Sequence, residues 1–288
     1  MKTSEPLNTC DPSGRPLRPL ICALIIASSD SGAGAGLQAD LKTMAAHGVY
    51  AFCVISAVTA QNSRAVTAVE CLSPATVTAQ LAAVADDFKI AAVKIGLLGN
   101  AANTRAVADF LADRLAGTPV VLDPVMVSAS GHAFLPPDAV AALKSLLPLA
   151  TLITPNIPEA EVLTGLSLTD DAARVEGARR LLAETGVRHA LIKGGHGQGP
   201  AADDLLAGPE GETWFRGSRV ETDDTHGTGC TLSSAICARL AQGLPLAQAV
   251  SLAKAYVTQG LRHSLRLGAG PGPLNHFHEF YHFRQGQG

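Results

Sequence analysis

The segment at 226–232 reads His-Gly-Thr-Gly-Cys-Thr-Leu and runs into the apolar pattern of a helix at 231–240. Gly227 and Gly229 let the backbone curl so that several amide N–H groups, including that of Thr228, point at one spot. A helix N-terminus adds unpaired donors and the positive end of its dipole, so the turn can bind an oxyanion. We expect Cys230 to lie in the first helical turn with raised thiol acidity. The combination indicates phosphoryl-transfer chemistry.

Polar side chains that suit phosphate and metal binding follow several apolar runs. Asn156 and Glu159 lie three residues apart at a helix start, which fits either an ordinary helix cap or oxygen ligation of a Mg²⁺ bound to nucleotide phosphates. Asp123 follows another apolar run and could lie near the same metal-phosphate group. Lys193 precedes two glycines, and a lysine at such a position suits phosphate binding.

A second glycine-rich turn follows the first apolar run, at 28–40. Its spacing is GxGxG rather than GxGxxG, and no acidic residue closes the next strand, so we disfavour a dinucleotide site. Asp30 and Asp40 offer carboxylates to a ring amine. Gln61 could cap a loop or read the edge of a planar heterocycle, because an amide donates and accepts at once. Leu97 and Val125 fit either a wall for a flat ring or ordinary core packing.

The elements that must position these residues form an alternating pattern. The short apolar runs are nearly continuous, as in strands buried on both faces of a parallel sheet covered by helices. This predicts an α/β three-layer sandwich in which ligands gather at the carboxyl ends of the strands. Strands are predicted at 20–27, 51–58, 91–95, 119–122, 151–154 and 189–192, an antiparallel edge hairpin at 203–207 and 212–215, and helices at 38–47, 74–88, 103–115, 138–147, 170–184, 231–240 and 246–261.

Composition bounds the class of partner. The chain has 288 residues, of which 47% are hydrophobic, and a net charge of −3, so we expect a compact enzyme with a small-molecule partner and no binding to nucleic acid or membrane. The six cysteines form no CxxC pair, which favours a reducing cytoplasm over a disulfide framework. We predict a flexible extension at 1–18, one domain at 19–284 and a tail at 285–288.

Three histidines near the C-terminus, at 276, 278 and 282, suggest a metal site at first sight. We disfavour it, because residues two apart do not share a helical face. The Gly/Pro-rich run at 268–273 is the only low-complexity segment of the sequence.

Taken together, these motifs resemble the ribokinase-like superfamily and, within it, the bacterial hydroxymethylpyrimidine/phosphomethylpyrimidine kinases of thiamin biosynthesis. The resemblance covers about residues 20 to 283, and its motifs stand in the same order along the chain. They are the GAGLQAD turn, AQN at 60–62, KIG at 94–96, LDPVM at 122–126, TPNIPEA at 154–160, KGGH at 193–196, HGTGCTLS at 226–233 and NHFH at 275–278.

The resemblance implies phosphorylation of 4-amino-5-hydroxymethyl-2-methylpyrimidine and then of its monophosphate, with ATP and Mg²⁺, by a homodimer. It implies Cys230 as the catalytic residue, with the amides of Gly227 and Gly229 stabilising the developing charge. Lys193, Asn156 and Thr228 are expected at the phosphates, and Glu159 and Asp123 at the metal, directly or through water. The pyrimidine contacts implied by the family are Ser28, Asp40, Gln61, Leu97 and Val125.

The chain departs from the family pattern at three positions near the expected ring site. Ser28 stands where glycine is usual, Ala33 replaces a turn glycine, and Leu97 replaces a common methionine. A pyridoxal kinase of the same superfamily is therefore the main alternative, although Gln61 favours the aminopyrimidine. A non-catalytic small-molecule sensor on the same fold is the alternative from another class, which the joint presence of Cys230, Lys193 and Glu159 disfavours.

Overall fold

The structure is a computed structural model that describes residues 20–126, 137–197 and 199–281. The predicted segments at 1–18 and 285–288, and His282, lie outside the described residues. Nine strands form one sheet: β1 Cys22–Asp30, β2 Tyr50–Gln61, β3 Val66–Cys71, β4 Ala92–Ile95, β5 Val120–Leu122, β6 Leu152–Ile153, β7 Ala190–Ile192, β8 Asp204–Gly208 and β9 Gly211–Phe215.

The sheet order is β3-β2-β1-β4-β5-β6-β7-β8-β9. Six neighbouring strands of the sheet, β2, β1, β4, β5, β6 and β7, are parallel to one another. Their buried apolar runs confirm the predicted central sheet. β8 and β9 form the predicted antiparallel hairpin on one edge. The opposite edge carries a second antiparallel pairing, β2 with β3, which was not predicted.

Helices cover both faces of the sheet: α1 Gly36–Ala46, α2 Pro74–Ala85, α3 Ala101–Arg114, α4 Pro137–Leu146, α5 Ile157–Thr164, α6 Asp171–Thr185, α7 Thr228–Ala241 and α8 Leu246–Arg262. Apolar residues of α2 to α6 pack on one face, and those of α1, α7 and α8 pack on the other. This arrangement confirms the three-layer prediction. Within the described residues, no helix combines the length and the apolar character needed to cross a membrane.

Two helix starts matter for the site. α7 begins at Thr228, three residues earlier than predicted, because Gly227 adopts the left-handed conformation with φ of 78° and acts as the N-cap. α5 begins with a capping box, in which the Asn156 side chain accepts from the Glu159 amide at 2.9 Å and Glu159 Oε2 accepts from the Asn156 amide at 2.8 Å. The helix-cap interpretation of this pair is therefore confirmed.

Candidate active site

The two glycine-rich turns pack directly against each other. A Cβ built at Gly227 would lie 1.8 Å from the Gly34 carbonyl oxygen, and one at Gly34 would lie 2.3 Å from the ring of His226. His226 Nε2 and Asp30 Oδ2 are 3.1 Å apart and hold the turns together from the side. Only glycine permits this approach, which brings the turn after β1 against the first turn of α7.

Asp30 organises the turn after β1. It accepts hydrogen bonds from the amides of Gly32, Gly34 and Ala35 at 2.8 to 3.0 Å. Burial alone would raise the pKa of Asp30, but hydrogen bonds from His226, the Ala35 and Gly32 amides and the Gln61 side chain lower it to about 2. Asp30 is therefore an anion stabilised by the protein itself; it also lines the cavity described below, and its contact with a ring amine stays a prediction.

Only some of the expected anion-binding donors are free in the first turn of α7. The Thr228 N–H and hydroxyl both donate to Thr225 O, at 3.2 and 2.6 Å, and Thr231 N–H donates to Gly227 O at 2.8 Å. Within the described residues, the amides of Gly229 and Cys230 have no backbone acceptor, as is general for the start of a helix. A Cβ at Gly229 would lie 3.2 Å from Lys193 Nζ, so the glycine brings this turn close to the lysine. An oxyanion at these amides therefore meets the lysine as well.

A cavity of about 950 Å³ opens over this turn at the carboxyl ends of the strands. Its size allows a nucleotide and a small ring to bind side by side. The predicted site residues that line it are Ser28, Gln61, Leu97, Asp123, Val125, Asn156, Glu159, Lys193, Gly227, Thr228, Gly229 and Cys230.

The sheet order divides these residues between two halves of the cavity. Ser28, Gln61, Leu97 and Val125 come from β1, β2, β4 and β5 or the segments that follow them, and these strands form one half of the sheet. The phosphate-binding candidates come from β5, β6 and β7, and the wall continues toward β9 with Arg216 and Arg219. Cys230 on α7 lines the same cavity. The chemistry of the two halves differs accordingly: one combines apolar side chains such as Leu97 and Val125 with a few polar groups, and the other is polar and basic.

Asp40 is the exception among the predicted ring contacts. Its side chain is fully buried and does not line the cavity. Asp40 Oδ2 pairs with Lys94 Nζ at 2.6 Å, and Oδ1 accepts from Ser234 Oγ at 2.7 Å. The prediction that Asp40 touches the substrate is therefore corrected: both carboxylate oxygens are bonded within the protein.

The phosphate side is built on a second buried ion pair. Lys193 Nζ lies 2.9 Å from Asp123 Oδ1, which also accepts from Thr154 Oγ1 at 3.2 Å. Burial opposes ionisation of both partners, but the two charges sustain each other, so the pKa of Asp123 is lowered and that of Lys193 is raised. Lys193 thus stays cationic beside the amides of α7.

Glu159 has an unusually basic carboxylate. Burial raises the pKa of Glu159 to about 7, with a further contribution from the nearby Asp123, against the opposing effect of Lys193. Its Oε2 accepts from the Asn156 amide, while the residue lines the cavity. A carboxylate held in this environment gains from a nearby cation, and two carboxylates with room for water and phosphate oxygens suit Mg²⁺.

Cys230 does not have the predicted acidic thiol. Burial raises the pKa of Cys230 to about 12, because the Lys94 ammonium and a hydrogen bond from the Gly36 amide offset only part of the desolvation cost, and Asp40 and Asp123 add to it. The resting group at neutral pH is therefore the thiol, and the thiolate is a minor form.

Several cavity residues had no role assigned from the sequence. Lys94 is one, although a lysine inside the apolar run of β4 was a visible signal of an unusual buried charge. Arg216, Arg219 and Lys254 also line the cavity, but arginine and lysine in polar segments give no signal in a single sequence. His276 binds Thr231 Oγ1 at 3.1 Å and so fastens the C-terminal segment to α7.

Comparison with known proteins places this site in a family. The sequence model of the phosphomethylpyrimidine kinase family matches residues 30–275. The chain belongs to this family. It is 50% identical over 264 residues to the hydroxymethylpyrimidine/phosphomethylpyrimidine kinase of Rhizobium meliloti, a match that covers 90% of this chain and 98% of that protein. The predicted family is confirmed.

Solved structures agree with the family and the fold. The phosphomethylpyrimidine kinase of Clostridium difficile superposes with a TM-score of 0.74 at 40% identity, covering 83% of this chain and 98% of that one. The pyridoxal kinase of Bacillus subtilis, solved as an ADP complex, superposes with a TM-score of 0.82 at 33% identity, covering 90% and 98%. The predicted ribokinase-like fold is confirmed, and membership of the family makes the chain a kinase.

Proposed function

We propose that this kinase phosphorylates the hydroxymethyl group of 4-amino-5-hydroxymethyl-2-methylpyrimidine with ATP, and then converts the monophosphate to the diphosphate, as part of thiamin biosynthesis. The observation that carries the proposal is the position of Cys230 in one cavity with the apolar side chains of Leu97 and Val125 in one half and the cations Lys193, Arg216 and Arg219 in the other. Transfer between a heteroaromatic alcohol and a triphosphate needs these two surfaces side by side. Membership of the family supports the same reaction.

The ring half of the cavity suits an aminopyrimidine. Gln61 lines the cavity, whereas the neighbouring Asn62 does not. The Gln61 side chain is hydrogen-bonded to the Asp30 carboxylate, which occupies one amide hydrogen and leaves its carbonyl oxygen to accept from the exocyclic amine. Leu97 and Val125 supply apolar surface for the ring faces.

The phosphate half supplies the electrostatics that phosphoryl transfer requires. The amides of Gly229 and Cys230 and the Lys193 ammonium stabilise charge on the γ-phosphoryl oxygens. Asn156 caps α5 with its side chain, and this position at the cavity wall would place it next to the phosphates. Asp123 and Glu159 would hold Mg²⁺, directly or through water. Bound Mg²⁺ supplies neutralisation of the triphosphate charge.

Cys230 takes the proton of the hydroxymethyl group in the first step. The hydroxyl oxygen forms a bond to the γ-phosphorus, the bond from that phosphorus to the ADP oxygen breaks, and the proton passes to the thiolate sulfur. General-base help of this kind is worth roughly 100- to 10,000-fold. Because the thiolate is the minor form at neutral pH, kcat should rise with pH over the neutral and mildly alkaline range.

A substrate panel tests the proposal. ADP release is measured with ATP and Mg²⁺ for hydroxymethylpyrimidine, its monophosphate, pyridoxal and ribose. We expect saturable turnover with both pyrimidines, weaker turnover with pyridoxal and none with ribose. Saturation by pyridoxal alone would establish the alternative activity, which the superposition with pyridoxal kinase makes the relevant competitor. Absence of ADP release with every substrate would instead favour a sensor.

The proposal includes a homodimer working in the cytoplasm. Superfamily members often pair through strands at the substrate end, and β3 lies there at the sheet edge with nearly all of its side chains exposed. The described cysteines are all free thiols, in keeping with a reducing compartment. Sedimentation equilibrium tests the dimer, and a monomer at micromolar concentration would contradict it.

A further inference from the structure

The buried charges under α7 form the same arrangement twice. Ser233, four residues after Gly229, has its Oγ 3.4 Å from Asp123 Oδ2, and Asp123 holds Lys193. Ser234, four residues after Cys230, has its Oγ 2.7 Å from Asp40 Oδ1, and Asp40 holds Lys94. Residues four apart share a helix face, so two parallel Ser–Asp–Lys chains run beneath adjacent residues of the first turn.

The Ser233–Asp123–Lys193 chain has a functional role in the proposed reaction, whereas the Ser234–Asp40–Lys94 chain has none assigned so far. Lys193 meets the phosphates beside Gly229. Lys94 and Asp40 have no exposed side-chain surface, although a buried ion pair of this kind is often no more stabilising than apolar residues of the same size. A Cβ built at Gly96 would lie 2.9 Å from Lys94 Nζ, so the glycine leaves the ammonium at the cavity wall. The pair is therefore placed for chemistry.

Cys230 is the reactive group in the same cavity on which the charge of this second ammonium acts. Lys94 and Cys230 line the same cavity, and Ser234 joins the helix face of Cys230 to the Asp40–Lys94 pair. The groups that act on the pKa of Cys230 are Lys94 and the Gly36 amide, which lower it, and Asp40 and Asp123, which raise it with burial. A thiolate at Cys230 would also raise the pKa of Lys193.

We propose that Lys94, fixed by Asp40 and Ser234, is the electrostatic partner of Cys230 and stabilises the thiolate that takes the substrate proton. The inference rests on the proposed function for its reaction. Lys94 keeps its own protons throughout; the hydroxymethyl proton ends on sulfur, the new bond joins oxygen to phosphorus, and ADP leaves. Asp40 is then a positioning residue that acts through Lys94.

Neutral replacements of the whole pair test this role without leaving one buried charge unpaired. Two double variants, K94M/D40N and K94Q/D40N, are made in case one of them does not fold. Circular dichroism and a cooperative melting transition show which of them is folded. The first readout is the rate of Cys230 alkylation by iodoacetamide from pH 7 to 10, with the site assigned by fragmentation of the peptide. The exposed Cys71 is the internal reference. The second readout is kcat over the same pH range.

We expect both rates to fall severalfold in a folded neutral variant, because Lys94 lowers the pKa of Cys230 by more than Asp40 raises it, so that loss of both charges leaves the thiolate less stable. The matched control is R114M/D86N, which removes an exposed pair of equal length, 2.6 Å, and should leave both rates unchanged. Rates within twofold of wild type would overturn the inference. So would a lower kcat with unchanged alkylation, because the loss would then come from geometry.

The alkylation readout separates this inference from the proposed function. If the wild type phosphorylates none of the panel substrates, the proposed reaction fails. Slower alkylation of Cys230 in the neutral variants would still establish Lys94 as its electrostatic partner.

Discussion

At the scale of single residues, the site is governed by the balance between burial and charge. Cys230 lies at a helix N-terminus, and the Lys94 charge lowers its pKa, yet burial and two neighbouring carboxylates leave it a thiol at rest. Burial also raises the pKa of Glu159. The pKa of Asp30 is lowered instead, because, of these three groups, only Asp30 accepts enough hydrogen bonds to outweigh its desolvation. Burial therefore decides which of these groups is charged before substrates bind.

Ala33 carries a local strain that a substitution can relieve. It has φ of 56° in the turn after β1, a left-handed conformation that costs a non-glycine residue roughly 1 to 2 kcal/mol. Ala33→Gly removes this strain, but it also raises the conformational entropy of the unfolded chain, which cancels part of the gain in stability. We expect the free energy of unfolding to rise by about 0.5 to 1 kcal/mol, measured by urea denaturation.

Ala79→Gly is the matched control, because Ala79 is exposed in the interior of α2. It should lower the free energy of unfolding by about 1 kcal/mol. Equal losses in both variants would show that the turn at Ala33 is not strained.

The sequence predicted the site residues that lie at the ends of strands. Gln61, Val125 and Lys193 follow apolar runs, and parallel strands bring their carboxyl ends together. The state of a group was not predictable: the thiol of Cys230 and the carboxylate of Asp40 depend on neighbours from distant parts of the chain. Asp40 and Lys94, for example, are 54 residues apart in sequence.

At the scale of elements, one guanidinium organises the glycine-rich loop that follows Lys193. Arg219 donates to the carbonyl oxygens of Gly195, Gly197, Gly199 and Ala201, with the last three distances between 2.7 and 3.2 Å. Gly195 and Arg219 both line the basic half of the cavity. The loop wall on the nucleotide side therefore depends on a single side chain.

Arg219→Met should loosen this loop and weaken nucleotide binding. Four carbonyl hydrogen bonds are lost, each worth roughly 1 kcal/mol net. We expect the KM for ATP to rise about tenfold or more while the KM for the pyrimidine changes little, measured by steady-state ADP release.

Arg180→Met serves as the control, since Arg180 pairs only with Glu184 on the exposed face of α6. It should leave both KM values unchanged. An Arg219 variant with the wild-type KM for ATP would mean that the loop holds its shape without the guanidinium.

The strands were predictable where they are buried on both faces, and β3 shows the limit. Its residues are almost all exposed, so it has no apolar run and no alternation, and its pairing with β2 is what makes it a strand. The same pairing carries β2 on to Gln61, three residues past the predicted end. The position of Gln61 at the cavity therefore depends on an element that the sequence alone does not reveal.

At the scale of the whole molecule, the layer of α1, α7 and α8 joins the site to the C-terminal segment. His276 bonds to Thr231, next to Cys230, and Tyr256 OH donates to the His276 carbonyl oxygen at 2.5 Å. His47, which follows α1, stacks edge-on against Tyr256 at 4.5 Å. Two buried histidines thus hold the layer that carries the anion-binding turn.

These histidines predict the acid sensitivity of the fold. Burial lowers the pKa of His47 to about 4 and that of His276 to about 3, whereas both have a pKa near 6.5 when unfolded. The unfolded chain therefore binds more protons below pH 6.5, so the stability is fully present above pH 6.5 and is lost as the pH falls toward 4. Each group contributes a slope of at most about 1.4 kcal/mol per pH unit.

The free energy of unfolding should therefore fall between pH 6.5 and 4, and His276→Gln should reduce that slope. Gln can keep a hydrogen bond to Thr231 without titrating. Urea denaturation at several pH values measures both slopes, and an identical slope in the variant would show that His276 is not one of the groups responsible.

The most direct test of the account is the comparison of turnover and binding in Cys230→Ala. Turnover of hydroxymethylpyrimidine should fall by roughly 100-fold or more, while the calorimetric Kd for the pyrimidine stays within a few-fold of wild type. The second phosphorylation should fall less, because its acceptor phosphate is already largely ionised near neutral pH. Near-normal turnover of hydroxymethylpyrimidine by the variant would contradict the account, since the proton would then leave without the sulfur.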